Sequence, residues 1–344
     1  MAETTLECGG RPVRVTSVDR VVFPAVGLTK GDLAAYYASI GPTMVRHVLL
    51  RPTTLERYPD GLAGEAFYSK RMPKGAPSWV ESARIAFPSG RPADEVCPTE
   101  PAVLVWAAQM GTVTFHPWPV RREDVDHPDE LRIDFDPQPG TEFADAVTVA
   151  LLAREILDEL GWVGFIKSSG GRGVHLYVRL QSKWDFIDVR HAAIAFGREL
   201  ERRAPSLVTT AWWKEERGER IFIDYNQNAR DRTIASPYSV RAHPTAPVST
   251  PLHWDEVVAG LDPLAFTPLS VLERVAQIGD PWATIDDLAH DLTPLLQWWE
   301  RDVESGLGEL SYPPDYPKMP GEPPRVQPSR ARHDSDSDSG SDSV

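Results

Sequence analysis

The stretch Leu131-Arg132-Ile133-Asp134-Phe135-Asp136-Pro137 constrains the fold of this chain more than any other. Its character alternates, so as a strand it points Ile133 and Phe135 one way and Asp134 and Asp136 the other. Two carboxylates on one face repel each other, and one resists ionising unless positive charge sits between them. Hard divalent cations such as Mg²⁺ and Mn²⁺ favour carboxylate oxygens and would supply that charge. An isolated Asp-x-Asp is more often a pair of exposed aspartates on a sheet edge. The rest of the chain has to decide between the two.

At 344 residues, with 41% hydrophobic and 25% charged residues, the chain is long enough for one large or two smaller buried cores and ordinary in balance for a globular protein. No apolar run approaches the roughly 18 residues of a membrane span. The start, Met-Ala-Glu-Thr-Thr, lacks the basic and apolar regions of a secretory signal. Two cysteines, Cys8 and Cys97, give neither a disulfide framework nor a thiolate metal cluster, and fit a reducing cytoplasm. The net charge of −14 argues superficially against a polyanionic partner. Its distribution argues otherwise: residues 251–310 hold twelve Asp/Glu against two Arg, whereas residues 1–80 hold ten Lys/Arg against seven Asp/Glu. The acid is concentrated late in the chain, leaving room for a basic face elsewhere.

Residues 11–23 are valine-rich and predict short strands, and Thr29-Lys30-Gly31-Asp32 opens a helix to about Ile40. Residues 51–80 are turn-rich and interleave Arg57, Lys70, Arg71 and Lys74 with Tyr58, Phe67, Tyr68 and Trp79. That mixture is either an ordinary surface loop or a stacking platform with phosphate contacts, as single-strand and DNA-end binders use. Residues 100–110 predict a helix, and Val113 to His116 a strand ended by Pro117 and Pro119. Glu142 to Leu160 is an amphipathic helix closed by Gly161, and Trp184 to about Arg203 is another. Between them, a strand at Val163–Ile166 leads through Ser168-Ser169-Gly170-Gly171-Arg172-Gly173 into a strand that places His175, Tyr177 and Arg179 on one face. Arg220 to Tyr225 is a hydrophobic strand ending in Asp224. Residues 252–311 read as mostly helical and acidic, with Trp254, Leu261, Leu264, Phe266, Leu269 and Leu272 as core candidates. Prolines from Tyr312 to Pro328 favour extended chain. The Ser/Asp-rich end from His333 is expected to be disordered. The expected division is one domain over 1–310 and a Pro-rich, then Ser/Asp-rich tail over 311–344.

Asp134, Asp136 and Asp224 together could hold two divalent metals, the arrangement that activates a 3′-hydroxyl and stabilises a leaving pyrophosphate. The Gly-Gly-Arg-Gly turn permits close backbone approach to an anion, and serine, histidine and arginine are natural triphosphate ligands. The turn matches neither the Walker pattern nor a dinucleotide fingerprint.

In this order the motifs resemble the polymerase domain of bacterial ligase D, within the archaeo-eukaryotic primase (Prim-Pol) superfamily. The matching stretches are Asp19-Arg20-Val21-Val22-Phe23-Pro24, Leu28-Thr29-Lys30-Gly31-Asp32, Phe67-Tyr68-Ser69-Lys70, the strand ending in His116, Asp134-Phe135-Asp136-Pro137, Ser168 to His175, Phe222 to Asn228, and Pro237-Tyr238-Ser239-Val240-Arg241. They run from residue 10 to about 300.

The resemblance implies an α/β primase-like fold: a central mixed or antiparallel sheet flanked by helices, with the active site between two subdomains. It implies Asp134, Asp136 and Asp224 as metal ligands and catalytic residues, with two ions, Mn²⁺ or Mg²⁺. His116, Ser169, His175 and Arg241 would bind the nucleotide, Phe67 or Tyr68 would stack on it or on the template, and Arg57 would lie nearby. Arg20 and Lys30 would grip a 5′-phosphate at a break or gap. Arginine at position 20 replaces the family's frequent lysine, and His243 stands where a second basic residue often follows Arg241. The implied activity is template-directed extension of primers and filling of short gaps in DNA repair, with a ribonucleotide preference. The implied partners are NTP or dNTP, gapped, nicked or broken DNA, Ku and a separate ligase. The chain is expected to be a monomeric, cytoplasmic, nucleoid-associated, stand-alone actinobacterial paralogue, in keeping with 29 Arg against 7 Lys. A DNA-end-binding scaffold with little catalysis and a metal-dependent phosphodiesterase are the alternative readings.

Overall fold

The computed structural model describes residues 2–258 and 260–329. The Ser/Asp-rich end expected to be disordered lies outside the described residues. No helix among those described is long and apolar enough to cross a membrane.

Among the described residues two large sheets, each with its own core, are accompanied by two two-stranded pairs. The N-terminal part begins with hairpin β1 (Glu3–Cys8) and β2 (Arg11–Thr16), followed by the short pair β3 (Val21–Phe23) and β4 (Leu28–Thr29). Helix α1 (Lys30–Val48) is capped by Thr29 and Asp32, each side chain bonding the other's backbone N–H. Its buried stripe is Leu33, Tyr36, Tyr37, Ile40 and Met44. It continues two turns past the expected end at Ile40, carrying Pro42 within it. A five-stranded sheet follows: β5 (Thr53–Arg57), β6 (Phe67–Ser69), β7 (Ser82–Ala86), β8 (Pro92–Val96) and β9 (Thr112–Pro117), with α2 (Pro101–Gln109) between the last two. Strands β5 and β6 lie inside the stretch whose turn residues suggested a loop. Helices α1 and α2 pack on this sheet to make one core, which includes Val103, Val113 and Phe115.

The second sheet has six strands: β10 (Glu130–Pro137), β11 (Gly164–Ser168), β12 (Val174–Arg179), β13 (Val208–Thr209), β14 (Ile221–Ile223) and β15 (Pro251–Leu252). Their order is β13-β14-β10-β12-β11-β15, and every pairing is antiparallel except β13 with β14. The Asp-x-Asp strand β10 is therefore central. Helices α3 (Phe143–Leu160) and α4 (Phe186–Arg203) bury their apolar faces against this sheet, forming the other core. Gly161 ends α3 in the left-handed region at φ 66°, and Asp185 caps α4 by accepting from the Ile187 and Asp188 N–H groups.

A short α5 (Lys214–Arg217), α6 (Pro268–Ile278) and α7 (Thr293–Glu304) complete the set of α-helices described. Residues 252–311 are less helical than expected. Leu264 and Leu269 are exposed, while Val271, Trp282, Leu292 and Leu295 are buried instead. Buried ion pairs link the two halves. The Arg51 guanidinium bridges Asp129 at 2.6 Å and Glu130 at 2.9 Å, and Arg132 and Arg179 also engage Glu130.

Candidate active site

The centre of the six-stranded sheet gathers the three aspartates. Asp134 lies opposite His175 in the β10–β12 register, with His175 Nε2 3.4 Å from Asp134 Oδ1. Asp224 follows the end of β14, and its N–H donates to the Asp134 carbonyl at 3.1 Å. Phe135 is buried on the opposite face while Asp136 is exposed, as alternation requires. Burial, and then repulsion from Asp224 and Asp136, raises the Asp134 pKa well above the usual carboxylate value. Burial likewise raises Asp224, against the amide bonds it accepts from Gln227 and Asn226.

The chemistry of this donor set suits a hard divalent cation: carboxylate oxygens that burial and mutual repulsion leave short of positive charge. Among the described residues, however, no group of three or more His, Cys, Asp or Glu is already gathered at metal-binding distances. The hydrogen bonds show what holds two of the aspartates. Gln138 Nε2 donates to Asp136 Oδ2 at 3.0 Å, and Gln227 Nε2 donates to Asp224 Oδ2 at 2.9 Å. Each bond takes one lone pair of its carboxylate and orients it, leaving other lone pairs for a cation.

Beside the aspartates, Ser169 Oγ accepts from the Gly171 and Gly173 N–H groups, both at 3.1 Å, and so closes the glycine turn. Arg241 donates to the Ser169 carbonyl at 2.8 Å, while its Nε is buried without a partner. That orphan donor, next to a turn rich in backbone N–H groups, suits an anionic ligand. Lys167 is fully buried on β11, opposite His175. Its Nζ lies 2.7 Å from His175 Nδ1 and donates to Ser249 Oγ at 2.5 Å. Burial, followed by the charges of Lys167 and Arg241, holds His175 well below its ordinary pKa. With Lys167 against Nδ1, the other ring nitrogen, Nε2, faces Asp134.

The five-stranded sheet supplies the opposite wall. His116 Nε2 lies 2.8 Å from Glu56 Oε2, and Tyr58 donates its hydroxyl to Glu56 Oε1 at 2.9 Å. Burial lowers His116 towards the neutral form. Burial alone would raise Glu56, but the bonds from His116 and Tyr58 and the charge of Arg241 bring it down to about 2. The Tyr68 ring is 6.1 Å from that of His116. Phe67 and Tyr68 are both more than half exposed, the Arg57 guanidinium lies 5.8 Å from the Phe67 ring, and Arg57 also donates to the Met110 carbonyl. Arg241 is within electrostatic reach of both walls, affecting Glu56 and His116 as well as Asp134 and His175.

Arg20 and Lys30 lie apart from this centre but together with each other, lining a cavity of about 90 Å³ beside Tyr58 and Gln109. The Lys30 backbone bonds the Arg20 carbonyl at 2.8 Å, and Arg20 donates to the Pro59 carbonyl. Burial, then the charge of Arg20, lowers the Lys30 pKa. His243 is turned to Thr245 Oγ1 at 2.9 Å.

Sequence reasoning missed Glu56, Lys167, Gln138, Gln227 and Arg217, whose charge Asp224 and Asp136 both feel. Only Lys167 carried a usable signal. Alternation along β11 puts it with Phe165, on the face that its antiparallel partner uses for His175 and Tyr177.

Comparison with known proteins bears on the whole arrangement. A family model described as the LigD primase-polymerase domain matches residues 29–282. The multifunctional non-homologous end joining protein LigD of Mycolicibacterium smegmatis is 36% identical over 279 residues, covering 80% of this chain and 36% of that protein. The bifunctional non-homologous end joining protein LigD of Bacillus subtilis is 30% identical over 271 residues, covering 78% of this chain and 43% of that protein. The chain thus spans well under half the length of these relatives. Among solved structures, the polymerase domain from Mycobacterium tuberculosis ligase D in complex with DNA superimposes with a TM-score of 0.76 at 31% identity, covering 81% of this chain and 99% of that one.

Proposed function

This chain belongs to the LigD primase-polymerase family, a family of nucleotidyltransferases, and we propose that it is a template-directed polymerase that extends primers and fills short gaps at DNA breaks. The observation that carries the reading is that Asp136 and Asp224 lie close enough to Asp134 for their charges to raise its pKa, beside a glycine turn, His175 and an arginine with an unpartnered donor. Asp134, Asp136 and Asp224 would hold divalent cations, Mn²⁺ or Mg²⁺. When bound, such ions supply Lewis-acid activation of a 3′-hydroxyl and neutralise charge on the leaving pyrophosphate. Ser169, Arg241 and His175 would orient the triphosphate, the last through Nε2. His116, held by Glu56, would face the incoming nucleotide from the other wall, with Phe67 or Tyr68 stacking on a base and Arg57 behind Phe67. A preference for ribonucleotides, and a place in end joining with Ku and a ligase, complete the reading. The relatives' names support end joining, and the DNA-bound neighbour supports a DNA substrate.

Single-nucleotide incorporation into a gapped duplex with Mn²⁺ or Mg²⁺, comparing ribo- and deoxynucleotides, tests this function. Asp134→Ala and Asp136→Ala should each reduce incorporation to about one-hundredth or less. Undiminished incorporation would sink the metal assignment. At the second site, Lys30→Ala should weaken binding to a 5′-phosphorylated gap about tenfold while leaving the unphosphorylated gap nearly unaffected. Equal losses on the two substrates would remove the 5′-phosphate role.

A further inference from the structure

One basic, aromatic cavity adjoins the site just described, Arg232 and Asp315 lining both it and a smaller pocket that holds Asp224 and Gln227. It has a volume of about 330 Å³, within the range of pockets that enclose a small planar ligand. We propose that this cavity, walled by Lys70, Arg71, Phe87, Arg230, Arg232 and Tyr316, is a second nucleic-acid subsite. It takes one nucleotide of a single-stranded segment, with the phosphate on the guanidiniums and the base against a ring, and Asp315 occupies its phosphate position until a strand enters. The inference rests on the polymerase reading for its choice of ligand.

The cations are arranged rather than scattered. Asp231 adopts a left-handed backbone at φ 67°, an uncommon conformation for a residue other than glycine. Arg230 and Arg232, on either side of it, both line the cavity. Lys70 Nζ holds Asp231 Oδ1 at 2.7 Å and lies 5.5 Å from the Phe87 ring. Arg230 donates to the Ala86 carbonyl at 2.7 Å and pairs with Asp126 at 2.8 Å, which fixes its guanidinium. Arg71 is exposed, donates to the Pro92 carbonyl at 3.3 Å, and has no carboxylate partner among the described residues.

Arg232 points to the ligand class. Its guanidinium pairs with Asp315, which is 70% exposed, and its Nε is buried with no partner. A guanidinium recognises carboxylate and phosphate oxygens with the same fork of donors, so the Asp315 carboxylate stands where a phosphate would. Tyr316, next in the chain, stacks on Tyr312 with centroids 5.0 Å apart and so presents a fixed ring to the cavity. Stacking surface combined with phosphate-binding cations is what single-strand sites use, and it tolerates any base.

Continuity with the polymerase centre favours a nucleic-acid strand over an acidic peptide. Strand β6 carries the exposed rings of Phe67 and Tyr68, and the chain then runs directly into Lys70 and Arg71. Tyr68, whose ring lies beside His116, and Lys70, in the cavity wall, are only two residues apart along the chain. A single strand leaving the stacking platform therefore meets the cavity next.

The test uses the full chain, a short fluorescein-labelled oligothymidylate and a blunt 5′-phosphorylated duplex, with affinity read by anisotropy over a salt series. Arg71→Glu and Arg232→Gln should each weaken oligothymidylate binding by about fivefold or more. Arg232→Gln should also flatten the slope of log affinity against log salt by about 0.7, the value of one lost phosphate contact. Asp315→Asn should tighten it by about threefold, and blunt-duplex affinity should change less than twofold throughout. Arg71 is exposed, so its variant reads the site even if Arg232→Gln lowers Tm. Oligothymidylate affinity unchanged in Arg71→Glu and Arg232→Gln, or equal losses for both probes, would overturn the subsite. Unchanged affinity in Asp315→Asn would overturn its displacement by the strand. Wild-type chain that binds the oligonucleotide through these residues but adds no nucleotide would refute the polymerase reading and leave this site standing.

Discussion

At the scale of single residues, the polar centre depends on charges that burial makes costly. Lys167 is the clearest case: burial, then the charge of Arg241, lowers its pKa well below that of an ordinary lysine, yet its Nζ donates to Ser249 and holds His175 Nδ1 at 2.7 Å. Groups that set a histidine tautomer through its second nitrogen typically change activity by about 10–100-fold when removed. Lys167→Met keeps the volume and removes the donor, so it should raise KM for the nucleotide by about tenfold and change Tm little. A purely structural lysine would instead lower Tm and leave KM alone. Glu95 shows the same cost away from the centre. Burial, opposed by the charge of Lys70, raises its pKa from 4.5 to about 8, while Thr54 and Trp118 both donate to Oε2 and Oε1 has no partner. Between those two values the folded protein holds a proton that the unfolded chain has released, so wild-type stability falls as pH rises through the window. Glu95→Gln has nothing to titrate. Its Tm should match wild type near pH 5 and exceed it by about 2–5 °C near pH 8.5. A Tm difference that does not vary with pH would mean that Glu95 is already ionised beside Lys70. Glu95 was not legible in the sequence, because a single glutamate in a strand has no periodicity to mark it as buried, and Lys167 was legible only through the alternation that sets it on the His175 face of the sheet.

Elements were legible where the signal was long. Helices α3 and α4 announce themselves by five turns of apolar spacing, and α3 also by its end signal Gly161, and both fall within two residues of the expected limits. The hairpin of β7 and β8 was missed because its strands are five residues long and half their side chains face solvent, which leaves little pattern to read. Leu264 and Leu269 misled for the opposite reason: an apolar residue at helical spacing states a preference, and the acidic C-terminal segment had too little interior to bury them. The glycine turn between β11 and β12 was visible in outline, though its tolerances depend on packing. A Cβ on Gly173 would lie 2.7 Å from the Phe135 carbonyl oxygen, inside the β10–β12 pairing that sets Asp134 against His175. A Cβ on Gly171 would meet only Ser169 Oγ, at 3.5 Å. Gly173→Ala should therefore destabilise the protein by about 1–3 kcal/mol and reduce nucleotide incorporation, while Gly171→Ala keeps its N–H and stays close to wild type. Thermal melts and incorporation rates for the pair decide it, and similar losses in both variants would show that the turn needs glycine for flexibility rather than for clearance.

At the scale of the molecule, the resemblance implied an active site between two subdomains, and in the structure the charge of Arg241 reaches His116 of the five-stranded sheet as well as Asp134 and His175 of the six-stranded one. The C-terminal segment was harder to place. Its prolines favour extended backbone, whereas the segment turns at 314–316 and again at 320–321, and its docking rests on a few anchors, which leave no periodic trace in the sequence. Arg190, with a side chain fully buried in α4, donates to Glu309 at 2.5 Å and to the Leu310 and Ser311 carbonyls at 2.9 and 3.1 Å, and its guanidinium lies 3.6 Å from the centre of the Tyr312 ring. Asn226 donates to the same Ser311 carbonyl at 3.0 Å, and its backbone N–H donates to the Asp224 carboxylate at 3.1 Å. The segment after Leu310 thus buttresses the 3₁₀ turn Tyr225–Asn228 that Asp224 caps. Ending the chain after Leu310 removes the buried Tyr312 ring and leaves Arg190 and Asn226 with unpaired buried donors, at a combined cost of about 3–6 kcal/mol. The shortened chain should melt several degrees lower. It should also lose incorporation at temperatures where it is still folded, because the Asp224 carboxylate is no longer held in place. Arg190→Met in the full chain should follow the same trend in both measurements. A shortened chain that equals the full one in Tm and incorporation would show that the segment lies on the surface without supporting the site.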